Sequence, residues 1–225
     1  MWIRSFSLTG QAGECPDWNS LLAELVRMDV KGPQIQGLIG LLVQRRVAVT
    51  STLPVFESLS ASRLPTLDAR TFLMLAPPVQ AAYQAYVSRE SRSSDRRWEG
   101  MLRKEMAFER EFVKAGGLLM AGTDPTGWGG VIAGFGDQRE VELLVEAGFK
   151  PEEAMRIATS NGAVFNGIED RVGTIAAGRQ ADMVVVRGNP AVHVKDIENT
   201  EIVFRNGVGY DSLALLKSVV GQVGR

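Results

Sequence analysis

The chain has 225 residues, of which 45% are hydrophobic and 23% are charged, and its formal net charge is −1. This balance is typical of a folded protein with one large or two small domains. It excludes the basic surface by which proteins bind nucleic acids or anionic membranes, and no apolar run approaches the roughly 18 residues of a membrane span.

Two residue types with distinctive chemistry occur only once. Cys15 is the single cysteine, so the chain forms no internal disulfide. Together with a first segment that lacks the zones of a signal peptide, this predicts a cytoplasmic protein. His193 is the single histidine, which matters because histidine is the usual general base and the usual zinc ligand.

The first half of the chain is predicted to be mainly helical. Residues 1–34 show little periodicity and are predicted to be irregular, and the next segment, IQGLIGLLVQRR, has helical spacing of apolar residues. The β-branched segment VAVTSTLPVF predicts a strand that Pro54 ends. Residues 57–94 are predicted as loops and short helices broken by prolines, and an amphipathic helix is predicted at 96–115.

The segment LLMAGTDPTGWGG, residues 118–130, carries the clearest functional signal. Its apolar run ends in Gly122, Thr123 and Asp124, which predicts a buried strand that delivers a carboxylate to a loop. Parallel α/β folds place their chemistry at this end of their strands. The glycine-rich loop at 125–138 is predicted to be mobile or to cover a ligand.

The remaining segments predict two helices and an accessory sheet. QREVELLVEAG predicts a helix capped by Gly148, and KPEEAMRIATSNGAVF predicts a helix with Pro151 at its first position. MVVVRGNP and EIVFRNGVGYD alternate apolar and polar residues, and the NG pair in the second predicts a turn. The order of elements therefore predicts a parallel sheet with helical crossovers, followed by a few accessory strands.

The segments ATSNGA, VGTIAAGRQADMVVVRGNP and IVFRNGVGYD, which follow AGTDP in that order, together closely resemble the C-terminal part of the amidohydrolase superfamily. The resemblance covers about residues 30–225 and is to the imidazolonepropionase-like and Xaa-Pro dipeptidase-like members. It implies an α/β fold with the last strands and helices of a (β/α)8 TIM-type barrel in residues 1–170. Residues 171–225 would then supply the C-terminal strands of a small β-sandwich.

The resemblance also implies a site. Asp124 falls on the strand-eight aspartate, which in complete members ligates a divalent metal such as zinc and accepts a proton from the attacking water. Trp128 and Phe135 are candidates for contact with a small-molecule substrate, with lid packing as the alternative, and Thr52 lies on the same face. The implied activity is hydrolysis of amide, lactam or related carbonyl bonds, with ester bonds as a further option.

This sequence departs from the family pattern. The family's paired histidines on strand one, its lysine on strand four and its histidines on strands five and six have no counterparts here. A zinc site needs three or four protein ligands, so we predict a truncated hydrolase with impaired metal binding that takes its other ligands from another chain or a repurposed site. The alternative is a non-catalytic truncated domain that oligomerises or binds small molecules.

The two predicted barrel strands are apolar on both faces, so both faces require cover. This predicts a homo-oligomer with large apolar interfaces, or a rearranged fold in which the helices collapse over the strands.

Other chemistries find little support. A Ser–His–Asp triad would need His193 beside a serine such as Ser51, and the chain has no G-x-S-x-G elbow. The glycine-rich loop lacks the spacing of both common phosphate-binding motifs. We expect His193 to be a surface residue, Asp182 to be structural and Cys15 to be inert.

Overall fold

The computed structural model describes residues 17–224, so Cys15 and the rest of the first 16 residues lie outside the described range. Within this range no helix combines the length and apolarity needed to cross a membrane. The described helices α1 to α10 run in order over Trp18–Arg27, Pro33–Gln44, Leu53–Ser58, Ala69–Phe72, Pro77–Glu90, Arg97–Lys114, Phe135–Ala147, Pro151–Ala158, Ser160–Phe165 and Ser212–Ser218. Strands β1 to β5 are Val49–Ser51, Leu119–Ala121, Met183–Val186, Thr200–Arg205 and Val208–Asp211, and two short 3₁₀ helices are Ala61–Arg63 and Val194–Glu198.

The strands form two small sheets. β1 and β2 pair in parallel, with Val49 opposite Leu119 and Ser51 opposite Ala121. β3, β4 and β5 form an antiparallel sheet in that order. The α/β class and the parallel pairing agree with the sequence prediction, although β1 and β2 are each only three residues long.

The main core lies between the β1–β2 pair and the helices that pack on it. Leu119 of β2, Phe112 of α6 and Leu143 of α7 are fully buried there. Gly117 lets Phe112 fit against the start of β2, since a Cβ at this glycine would lie 2.4 Å from the ring. Burial of such side chains contributes about 1.5–3 kcal/mol each, so this core determines the position of both strands.

Two predictions near the start of the chain are wrong. Part of the segment predicted to be irregular forms α1, whose N-terminus is capped by the Asp17 carboxylate accepting from the Ser20 amide at 2.9 Å. The predicted strand at VAVTSTLPVF ends at Ser51, before Pro54, and Pro54 instead lies in the first turn of α3. Proline is favoured there because the first-turn amides have no partner within the helix.

Three other helix boundaries differ from the prediction. Pro77 and Pro78 begin the 14-residue helix α5, whereas the sequence predicted that they break short helices. Helix α7 begins at Phe135, so the last part of the predicted glycine-rich loop is helical. The helix predicted from Pro151 onward is two helices, because Thr159 leaves the helical region with φ −132° and ψ −85°.

The hairpin between β4 and β5 is as predicted. Asn206 and Gly207 both have positive φ, 50° and 80°, as a tight turn of this kind requires. The Asp182 carboxylate accepts from the Asn206 amide at 2.5 Å, and the Ala181 carbonyl accepts from the Gly207 amide at 3.0 Å. The structural role predicted for Asp182 is therefore confirmed.

Asn161 explains part of the ATSNGA motif. Its side-chain amide donates to the Leu119 carbonyl at 2.7 Å. This carbonyl belongs to β2, which pairs only with β1 among the strands of residues 17–224. The break at Thr159 starts the new helix α9, from which Asn161 reaches the strand. Asn161 thus satisfies a backbone acceptor that a third strand would otherwise satisfy.

Two carboxyl groups behind β1 are buried without a cationic partner among the described residues. Glu140 of α7 is fully buried and neither of its oxygens has a hydrogen-bond partner, and Glu109 of α6 is 3% exposed. Burial raises the pKa of Glu140 to about 7 and raises the pKa of Glu109 well above its usual value. The nearby Ser51 hydroxyl opposes both shifts but forms no hydrogen bond of good geometry.

We predict that Glu140 makes the chain less stable as pH rises. Its pKa is about 7 when folded, against 4.5 for an unperturbed glutamate, so the folded chain holds an extra proton between these values. The free energy of unfolding therefore falls from about pH 4.5 to about pH 7. Glu140→Gln should raise it by about 1–2 kcal/mol at neutral pH and flatten this fall, as measured by urea unfolding at several pH values.

Glu169→Gln is the matched control, because Glu169 is exposed. It should leave the pH profile unchanged. If the free energy of unfolding of Glu140→Gln changed with pH in the same way as that of the unmodified chain, burial would not raise the pKa of Glu140.

Candidate functional site

The parallel pairing places the C-terminal ends of β1 and β2 at one edge of the sheet. The ladder continues one step past the strands, where the Gly122 amide donates to the Ser51 carbonyl at 2.8 Å. Thr52 follows β1 directly and Asp124 follows β2 after two residues. Both candidate residues therefore leave the sheet at the same edge.

Glycine at position 122 is required by the close approach of the two strands. A Cβ at Gly122 would lie 2.4 Å from Cγ2 of Thr50 on the neighbouring strand. Any larger residue would force the Thr50 side chain to move at the point where the chain turns toward Asp124. The glycine of the AGTDP segment is thus explained by packing.

Asp124 has an unusual backbone conformation. Its φ is 49°, in the left-handed region that is uncommon for residues other than glycine. Asp tolerates this region better than most residues, but the conformation still carries a cost of up to about 1–2 kcal/mol. The residue is exposed, and its carboxylate has no hydrogen-bond or ion-pair partner among residues 17–224. The carboxylate is therefore free to bind an external group.

The residue before Asp124 anchors the loop. Thr123 is buried, and its hydroxyl donates to the Asp137 carboxylate at the start of α7. The second Asp137 oxygen accepts from the Gly134 amide at 3.0 Å. Asp137 thereby ties both ends of the loop together. Sequence analysis did not identify this role, although an acidic residue in the first turn of a helix is a known capping signal.

The glycine-rich loop is a compact turn. The Thr126 amide donates to the Val131 carbonyl at 3.0 Å, and the Val131 amide donates to the Thr126 hydroxyl at 2.9 Å. Trp128, at the tip, contacts two tyrosines of α5. Its ring centroid lies 4.3 Å from that of Tyr86 and 6.4 Å from that of Tyr83, the latter nearly parallel.

Phe135 and Thr52 lie at the N-terminal ends of helices. Phe135 is the first residue of α7, and the Arg70 guanidinium lies over its ring at 5.3 Å from the centroid. Phe135 also lines a small cavity of about 110 Å³. Thr52 is half-buried and precedes α3. Contact of Trp128, Phe135 and Thr52 with a substrate remains a prediction, and the two aromatic residues already have packing partners.

An ion-pair network joins the helices that follow the two strands. The Arg139 guanidinium of α7 forms two hydrogen bonds to Glu57 of α3, at 2.8 and 2.7 Å, and Arg63 forms a third to Glu57 at 2.8 Å. Glu57 is only 4% exposed. A bidentate pair of low exposure fixes the relative position of two helices more firmly than surface ion pairs do. This network therefore fixes the positions of α3 and α7, the helices that follow the edge carrying Thr52 and Asp124.

The side chains at this edge do not by themselves fit a divalent metal. The described part of the chain contains no group of three His, Cys, Asp or Glu side chains arranged to hold an ion. His193 is exposed in the segment between β3 and β4, as predicted. Ser51 is buried among the carboxyl groups behind β1, so the structure does not bring Ser51 and His193 together in a triad.

Comparison with known proteins identifies the family. The model of the amidohydrolase family matches residues 73–209, which is more than half of the chain and includes Asp124. A search of curated proteins found no match.

Solved structures show a related fold. A prolidase in complex with N-methylphosphonate-L-proline is 20% identical with a TM-score of 0.51, covering 78% of this chain and 38% of its own. An amidohydrolase is 22% identical with a TM-score of 0.51, covering 77% of this chain and 36% of its own. Molinate hydrolase is 17% identical with a TM-score of 0.51, and the match covers 88% of this chain and 41% of the molinate hydrolase chain.

The chain thus spans about two fifths of the length of the solved structures that it matches. These likenesses concern the fold, which in this family is of the TIM-barrel type, and the family model independently matches the chain at the level of sequence. The resemblance inferred from the motifs is confirmed, and the chain belongs to the amidohydrolase family.

Proposed function

We propose that this chain takes part in the hydrolysis of amide, lactam or related carbonyl bonds, including esters, with Asp124 as its main catalytic residue. The observation that carries the proposal is the exposed Asp124 carboxylate, held in a left-handed conformation at the edge of the parallel pair. Unusual backbone conformations of this kind often occur at functional sites. Membership of a hydrolase family supports the same reading.

The role proposed for Asp124 is to accept a proton from the water that attacks the carbonyl carbon. In complete members of the family the equivalent aspartate also ligates a divalent metal such as zinc. One carboxylate cannot form such a site, which needs three or four protein ligands. We therefore propose that metal binding by this chain alone is impaired and that further ligands come from another chain or a repurposed site.

The substrate-contacting residues, the domain boundaries and the cellular location are also proposals. Thr52, Trp128 and Phe135 would border a small-molecule substrate. Residues 1–170 would form part of a barrel and residues 171–225 part of a β-sandwich, in a protein of the cytoplasm.

A second candidate function is a non-catalytic domain that assembles through apolar surface. Several large apolar side chains of the β3–β4–β5 sheet are well exposed, among them Val184 at 56% and Tyr210 at 44%, which both pair with Val203 of the central strand. A monomer rarely exposes large contiguous apolar patches. This observation supports a homo-oligomer under either candidate function.

Asp124→Asn should reduce any hydrolysis of Xaa-Pro dipeptides, lactams or esters by about 10²- to 10⁴-fold, because it removes the proton acceptor. Initial rates with a substrate panel measure this. Asp170→Asn, at an exposed position, is the matched control and should retain full activity. Unchanged turnover in a folded Asp124→Asn variant would move the chemistry to another residue.

Metal content tests the proposed shortage of metal ligands. We expect the purified chain to hold less than about one equivalent of zinc, weakly, since the edge provides too few ligands. Elemental analysis before and after dialysis against a chelator is the measurement. Two metal ions per chain that survive dialysis would contradict the proposed ligand deficit.

The exposed apolar side chains predict self-association. Light scattering at micromolar concentration should give a mass of at least two chains. A monomer that unfolds cooperatively and keeps the β1–β2 pairing would refute the homo-oligomer.

A further inference from the structure

A second cavity lies among four helices, away from the Asp124 edge. It occupies about 470 Å³ between α1, α2, α3 and α6. Its walls are mainly apolar and include Leu22, Leu38, Phe56, Met101 and Phe108. This volume falls within the range of about 300–1,000 Å³ that is common for small-molecule sites. None of the candidate site residues lines it.

Among the described residues, two charged side chains line this cavity, and their hydrogen-bond partners differ. The Lys104 ammonium donates a hydrogen bond to the Met28 carbonyl at the C-terminal end of α1, which uses one of its three N–H donors. Glu105 has no hydrogen-bond or ion-pair partner within residues 17–224. Burial in the apolar wall raises the pKa of Glu105 to about 7. A single unpaired carboxyl group in an apolar wall is costly unless it meets a partner.

We propose that this cavity binds a small amphipathic amine, whose apolar body fills the space between the helices while its cationic nitrogen pairs with the Glu105 carboxylate. The apolar lining selects the body of the ligand and the unpaired carboxyl group selects its charge. The proposal is independent of the hydrolase assignment, because the cavity shares no residue with the edge that carries Thr52 and Asp124.

Other ligand classes fit the cavity less well. An apolar carboxylate would meet the unpaired Glu105 carboxyl group, and Lys104, the cation among the described lining residues, is held by the Met28 carbonyl. A neutral alcohol of the same shape would fill the space but would leave the carboxylate without a counter-ion. An ion pair removed from water is strengthened by the low local dielectric, so the charged amine gains most.

The test compares three ligands that differ in one group: phenylbutylamine, phenylbutanol and phenylbutyrate. Isothermal titration calorimetry on the full chain gives the affinities, and a change in tryptophan fluorescence that is lost in Trp98→Phe assigns binding to this cavity, which Trp98 lines. The amine should bind at least about tenfold more tightly than the alcohol, in line with the strength of charge-assisted hydrogen bonds, and the carboxylate should bind weakest.

Glu105→Gln should remove the preference for the amine and leave binding of the alcohol unchanged. Glu111→Gln is the matched control on the same helix, where Glu111 lies 3.9 Å from Lys114, and it should behave like the unmodified chain. Leu25→Trp should fill the cavity and abolish binding of all three ligands. Equal affinities for the three ligands, a preference that survives Glu105→Gln, or no saturable binding of the amine would each overturn the proposal.

Discussion

The short parallel contact between β1 and β2 determines the geometry of the candidate site. One hydrogen bond beyond the strands, from the Gly122 amide to the Ser51 carbonyl, brings the two chain segments to the same edge. The missing side chain at Gly122 permits this approach. The direction in which Asp124 leaves the sheet follows from this contact and from the Thr123–Asp137 bond that anchors the loop.

The helices behind this pair contain one charged group that stabilises the fold and one that destabilises it. The Glu57–Arg139 pair satisfies its charges and joins α3 to α7. Glu140, on the same helix α7, is buried without a partner and weakens the fold whenever it is charged. An unpaired buried carboxyl group reduces the stability of the fold. Groups whose pKa is shifted in this way are often found at functional sites. In this chain Glu109 and Glu140 lie behind the edge, whereas Glu105 lines the cavity beside α6, where a counter-ion from outside would pair with it.

Local signals in the sequence predicted the features that depend on neighbouring residues. The Asn206–Gly207 turn, the cap at Gly148 and the proline at the start of α8 all depend on a few adjacent residues, and the structure shows each of them. Helix α1 was missed because its ten residues are flanked by glycine and proline, which indicate loops. The break at Thr159 was not predicted, and the contact of Asn161 with β2 that accompanies it is tertiary, so no local pattern contains it.

The site was predicted less completely than the fold. Asp124 stands out because an apolar strand ends beside it, but its metal-ligand role rests on family resemblance alone. The Thr123–Asp137 bond and the packing of Trp128 on Tyr86 join residues 14 or more positions apart, so sequence spacing does not reveal them. Residues from four separate helices form the cavity that contains Glu105, and only the tertiary fold brings them together.

Hydrogen exchange at the Gly122 amide tests the central claim most directly, because this one amide bonds the end of β2 to the end of β1. The account predicts strong protection, comparable to that of amides inside α6 and α7, since the bond lies beside the main core. Exchange at Gly122 as fast as in the exposed segment 169–171 would contradict the account, because the two strands would then not hold Thr52 and Asp124 at a common edge.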